Sequence, residues 1–217
     1  MTITSVVYVP EGIAMAADSR LTGFISRENG IDRFPLSDNA QKLSLLREGT
    51  IGVSFSGDAI IENKTVADFL RVFEISYVDK NDTVRCIAEK LKNYLKKDYE
   101  EYDIHFILAG YDEEEQFVFE VWANGADRIN INKDNQLMAS ANWLGEIEPV
   151  SKIFEDTLFN FLLMPLKDAV DLAEFIVELS IKYERFADKI PTCGGPIDIL
   201  VITKDYTQFY RHKTLKP

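Results

Sequence analysis

Cysteine and histidine are both scarce. Two of each stand among 217 residues, Cys86 with Cys193 and His105 with His212, and neither pair has the spacing of a zinc ligand set or of a disulfide framework. That pattern favours a reducing, cytoplasmic setting. Basic charge is short as well: 24 Lys+Arg stand against 36 Asp+Glu, a formal net charge of −12, so a nucleic-acid phosphate backbone is not an expected partner. No apolar run approaches the ~18 residues needed to cross a bilayer, and no basic-then-apolar leader opens the chain, so no membrane partner is expected. The chain also lacks a Gly-x-Ser-x-Gly elbow, a P-loop and a His-Glu-x-x-His helix, which removes the usual signatures of serine hydrolases, nucleotide binders and zinc proteases. His105 alternates within an apolar strand as a packed residue, His212 sits in a polar tail, and Cys193 has no assignable base.

What remains is an unusual beginning. Thr2 follows Met1 and opens an apolar strand, Thr2-Ile3-Thr4-Ser5-Val6-Val7-Tyr8-Val9. Removal of Met1 would leave a hydroxyl nucleophile and a free α-amine on one residue. An α-amine titrates at about 7.7 to 8.0, so part of it is neutral near pH 7 and can take the hydroxyl proton. The chain turns at Val9-Pro10-Glu11-Gly12 and returns as Ile13-Ala14-Met15-Ala16-Ala17-Asp18-Ser19-Arg20. A Pro-Glu-Gly loop ending in a left-handed glycine pairs Val9 with Ile13 and Thr4 with Asp18, and places Asp18 diagonal to Thr2 on one face. A shift of one residue would send Asp18 to the other face. Lys42 heads the next strand pair, Gln41 to Leu46 and Thr50 to Gly57, and is the only lysine between Thr2 and Lys64. An ammonium beside the hydroxyl would ease alkoxide formation, and a carboxylate at Asp18 would hold it charged and in place.

These residues resemble a family. Thr2-Ile3-Thr4, Glu11-Gly12-Ile13-Ala14-Met15-Ala16-Ala17-Asp18-Ser19-Arg20, Lys42-Leu43 and Ser56-Gly57 are similar to the β-type subunits of the proteasome and their bacterial relatives, the N-terminal nucleophile (Ntn) hydrolases. The resemblance implies that Thr2 is the nucleophile, that Asp18 and Lys42 are its charge partners, and that the Gly57 N–H belongs to an oxyanion hole. It implies no metal or organic cofactor. It also implies a serine before the third helix that supports the α-amine, for which Ser140 is the candidate, although the flanking glycines of that turn are missing. An aspartate and a serine are expected just before the double glycine, where this chain has Ile190 and Cys193; Asp188 or Thr192 would have to substitute.

The remaining pattern predicts an α+β fold in one domain spanning 1–217. Val66, Phe69, Leu70 and Phe73 form one helical stripe, and Ile87, Leu91, Tyr94 and Leu95 a second. Strands are predicted over 104–109 and 117–122, with shorter ones near 128–132 and 136–139. A third helix runs from Val150 toward Pro165, a fourth from Ala169 toward Asp188, and a final hairpin joins 196–202 to 207–211. Strand pairs joined by short turns must be antiparallel, so two antiparallel sheets packed face to face between helical layers use every element. That four-layer αββα sandwich is also what the resemblance implies. Leu21 to Asn39 is longer than the family pattern and reads as a loop, lining the substrate cleft, contacting another subunit, or simply tolerated at the surface.

The expected activity is peptide-bond hydrolysis of a peptide or unfolded-protein substrate, carried out in the cytoplasm. The resemblance adds a homo-oligomeric ring and leaves an ATP-dependent unfoldase partner unknown. Two other readings stay open: a non-catalytic proteasome-like assembly or scaffold subunit, and an Ntn amidase acting on a small non-peptide amide.

Overall fold

The computed structural model describes residues 2–27, 30–188 and 190–214. Its strands and helices, in chain order, are β1 (Ile3–Val9), β2 (Gly12–Ala17), β3 (Leu21–Arg27), β4 (Gly30–Ser37), β5 (Leu43–Leu46), β6 (Ile51–Gly57), β7 (Ile60–Ile61), β8 (Lys64–Thr65), α1 (Val66–Tyr77), α2 (Val84–Asp98), β9 (Ile104–Asp112), β10 (Glu115–Trp122), β11 (Gly125–Arg128), β12 (Ser140–Gly145), α3 (Glu148–Phe154), α4 (Leu166–Phe186), β13 (Asp198–Ile202) and β14 (Thr207–Arg211). Five strands form one sheet in the order β12-β1-β2-β13-β14, and five form another in the order β11-β10-β9-β6-β5. Their strand pairs are antiparallel.

Three apolar clusters fix the layering. Helices α1 and α2 cover the second sheet through Phe69, Phe73, Leu91, Val53 and Phe106. Helices α3 and α4 cover the first sheet through Val150, Ala173, Ile176, Ile3 and Val7. Between the sheets lie Val6, Tyr8, Met15, Ile107 and Leu200. The alternation of β1 explains its sequence: Ile3, Val7 and Val9 face the helices while Val6 and Tyr8 face the other sheet, so a strand buried on both sides reads as one nearly continuous apolar run. This is the αββα sandwich expected from the sequence.

Four local expectations need correction. The β1–β2 turn holds two residues, not three: Val9 pairs with Gly12 and Thr4 with Ala17. Pro10 is locked near φ −65° and cannot enter the primed hairpin turns, and Gly12 does not take the positive φ a glycine bulge requires. Leu21 to Asn39 is mostly strand, because β3 and β4 pair from Leu21↔Ser37 to Arg27↔Gly30 as a separate hairpin. The third helix stops at Phe154; Trp143, Phe154, Phe159 and Phe161 stack in series at centroid distances of 5.0, 4.8 and 5.5 Å, which folds the chain back on itself. The strand predicted near 136–139 is realised one step later, as β12, with only an isolated bridge between Ile131 and Leu137 before it.

Candidate active site

The two-residue turn sets Asp18 one place beyond Ala17, opposite Ile3, and its N–H donates to the Ile3 carbonyl at 3.2 Å. Strand β2 has ended there, so the side chain is free to turn back along the first sheet. Its Oδ1 accepts from the Ile3 N–H at 3.1 Å and from Lys42 Nζ at 2.7 Å. Its Oδ2 accepts from the N–H groups of Arg20 at 3.1 Å and Gly194 at 2.9 Å. Thr2, Asp18 and Lys42 are each 2 % exposed or less. A buried ion pair survives desolvation only when its remaining hydrogen-bonding capacity is met, and four donors meet that need for Asp18. The Lys42 ammonium thus shares a carboxylate oxygen with the amide that follows Thr2.

Thr2 opens onto a cleft of about 760 Å³ whose walls include Ser56, Gly57, Tyr102, Gly145 and Thr192. The β3–β4 hairpin supplies a further wall through Leu21, Phe24, Arg33 and Leu36. Two of the lining residues are glycines. Gly57 has φ +109°, and a Cβ there would lie 1.9 Å from the Asp103 carbonyl oxygen. Gly145 has φ +105°, and its Cβ would lie 1.7 Å from the Thr2 carbonyl oxygen. Both positions therefore require glycine on conformation and on space.

Ser140 is elsewhere. It pairs with Tyr8, six residues along β1 from Thr2 and ~20 Å away by the rise of a strand. Its hydroxyl bonds to the Tyr8 phenol, whose pKa burial pushes up to about 12. The segment that reaches Thr2 is the end of β12: Ile3 pairs with Gly145, and the Glu146 N–H donates to the Thr2 carbonyl at 2.9 Å. Gly145 is the only glycine between Gly125 and Gly194, a signal that could have placed the turn five residues after Ser140.

Before the double glycine, Ile190 is 48 % exposed and Asp188 is exposed, while Thr192 is buried and lines the cleft. The Thr192 hydroxyl lies 3.0 and 3.1 Å from the two carboxylate oxygens of Glu184 and 3.3 Å from Glu146 Oε1. Glu184 also accepts from the N–H groups of Thr192 and Cys193, each at 2.7 Å. Neither glutamate stands out in the sequence, because Glu184 falls within a charged helical stretch and Glu146 within a turn. Burial, then the Asp18 and Glu184 carboxylates, hold the Cys193 thiol far above the ordinary cysteine range, which opposes thiolate chemistry there. His105 is half-buried, pairs with Glu120 at 3.1 Å and stacks on Trp122.

No family model matches the sequence, and no curated protein matches it. A solved structure does. The chain shares the fold of Anbu. The structure of an Anbu Gly-1 mutant from Hyphomicrobium sp. strain MC1 superimposes with a TM-score of 0.69 over 98 % of this chain and 86 % of that one, at 16 % sequence identity. Anbu is a bacterial proteasome-related protein, so the likeness places the present chain in a proteasome-like sandwich fold.

Proposed function

We propose that the chain is an N-terminal threonine hydrolase that cleaves peptide bonds after loss of Met1, a residue outside those described. The observation that carries this reading is the buried Asp18 carboxylate, which ties Lys42 to the Ile3 N–H directly after Thr2; Thr2 itself lines a cleft together with Gly57. In the proposed reaction the α-amine, directly or through one water, takes the Thr2 hydroxyl proton. The oxygen attacks the substrate carbonyl, Lys42 and the Gly57 N–H stabilise the developing oxyanion, and the amine returns its proton to the leaving nitrogen. Water then hydrolyses the acyl-enzyme. Lys42 acts electrostatically, held in place by its 2.7 Å contact with Asp18.

Thr2→Ala tests the nucleophile. Turnover of fluorogenic peptides is expected to fall to background with an unchanged unfolding transition, and retained turnover would overturn the assignment. The fold is equally compatible with a closed homo-oligomeric ring in the cytoplasm. A scaffold reading draws on the exposed Ile190 and the distant Ser140; intact mass separates it, since a chain that keeps Met1 has no amine at Thr2. Turnover of small amides but not of peptides would favour the amidase reading.

A further inference from the structure

We propose that Phe24 is a specificity-determining residue of the Thr2 cleft, which takes a bulky apolar side chain of a bound peptide and rejects an acidic one. The inference deepens the hydrolase reading and rests on it in one respect, that a peptide lies in this cleft. Strands β3 and β4 form a two-stranded sheet of their own, and a lone hairpin of that kind has little to hold it in place in water. Here its base is tied down. Arg20, just before β3, donates to both carboxylate oxygens of Asp38, just after β4, at 2.7 and 2.9 Å. The Thr22 hydroxyl donates to the Thr192 carbonyl at 3.1 Å, and both of these threonines line the cleft. Side chains alternate along a strand, so Phe24 shares the face of Thr22, about 7 Å further out.

Internal packing does not account for Phe24, which stays 68 % exposed. A Cβ on Gly23 would meet the Phe34 ring and the Leu36 side chain at 3.0–3.1 Å, so these two pack over Gly23 on the opposite face of the hairpin and leave Phe24 uncovered. Leu36 from the hairpin and Ile60 from β7 also line the cleft and are themselves exposed. Exposed large apolar side chains gathered around one concavity mark a surface that a ligand desolvates, and about 760 Å³ has room for an extended stretch of peptide.

Charge supplies the other half of the selection. Asp58 and Asp103 line the cleft and are exposed, and the Asp103 N–H donates to Asp58 Oδ2 at 3.0 Å, which holds that carboxylate in place. Among the charged side chains of the cleft wall, Arg33, the cross-strand partner of Phe24, stands against these two carboxylates. A peptide carboxylate entering there meets an excess of like charge, whereas an apolar side chain meets Phe24, Leu36 and Ile60 and gains by leaving water.

Binding to Thr2→Ala reads this selection without any need for turnover. The probes are fluorescein-labelled Ala/Gly peptides with a single guest residue, Phe, Ala or Asp, moved along the sequence, and fluorescence anisotropy gives their affinities. At one guest position Phe is expected to bind about tenfold tighter than Ala, with Asp weaker than Ala. Adding Phe24→Ala should shrink the Phe-over-Ala ratio to about twofold or less, while Phe24→Leu keeps most of it. Phe24→Ala is also expected to sediment as the parent protein does. No guest preference at any position, absence of binding included, or a preference undiminished in Phe24→Ala, would overturn the proposal. A changed sedimentation coefficient would assign Phe24 to a contact between copies of the chain and overturn it as well. Guest selectivity in Thr2→Ala with no peptide turnover by the protein that retains Thr2 would sustain the subsite and sink the hydrolase reading; turnover without guest selectivity would do the reverse.

Discussion

Asp18 and Lys42 form one ion pair, yet removing either has a different cost. Lys42→Met leaves the carboxylate with three N–H donors, from Ile3, Arg20 and Gly194. Asp18→Ala strands those three N–H groups and a buried ammonium together. Urea unfolding should therefore show Asp18→Ala to be the more destabilising change, by about 3–5 kcal/mol relative to wild type; equal costs would mean that the N–H groups find other partners. Thr2, Asp18, Lys42 and Gly57 each sit in a short motif with local spacing, which is why they could be proposed from the sequence; the structure brings Asp18 to Lys42 and lines one cleft with Thr2 and Gly57. The route to Asp18 differed from the expected one: the register slipped by one, and the carboxylate reaches its partners only because β2 stops before it. Ser140 failed for the opposite reason, since its place depends on where β12 pairs with β1 across more than a hundred residues of intervening chain.

Among the elements, the β3–β4 hairpin was least visible. Gly23, Gly30 and Pro35 interrupt its pattern, and Phe24 and Leu36 remain 68 % and 58 % exposed, so no half-buried alternation marks either strand. A hairpin that packs little of its own surface contributes little to stability. Replacing 22–36 by a short turn is expected to move the urea midpoint only slightly while raising KM for peptides severalfold; a collapsed midpoint would show that the hairpin belongs to the core. The end of β12 behaves differently. Gly145→Ala drives a Cβ into the Thr2 carbonyl at a positive φ, so we expect loss of activity together with a destabilisation of about 1–3 kcal/mol, and a fully active Gly145→Ala would disprove the close approach of these strands. The helices α1, α2 and α4 were read from their stripes; α3 was overextended because aromatic stacking after Phe154 overrides periodicity.

At the scale of the whole molecule, the three apolar clusters carry the fold, and the sandwich was legible because antiparallel hairpins and amphipathic helices leave few other ways to bury every face. The base of the hairpin is tied to that sandwich by Arg20, which donates to Asp38 at 2.7 and 2.9 Å and to the Pro191 carbonyl at 3.4 Å. The hydrogen bond from Arg20 holds the Asp38 carboxyl below the usual range. A depressed carboxylate pKa stabilises the fold above the unfolded value of about 3.9 and loses that contribution as pH falls through the folded value. Because Asp38 is partly exposed, the contribution is at most about 1 kcal/mol. Asp38→Asn should therefore reduce stability at pH 7 and weaken the loss of stability on acidification; an unchanged acid profile would mean that the pair carries no net weight. Covalent capture tests most directly whether the Thr2 hydroxyl oxygen is the nucleophile. After treatment of the purified protein with a peptidyl β-lactone, peptide mapping should find an N-terminal peptide that begins at Thr2 and carries the acyl mass on that residue. An N-terminal peptide still beginning with Met1, or an adduct confined to another residue, would contradict the account.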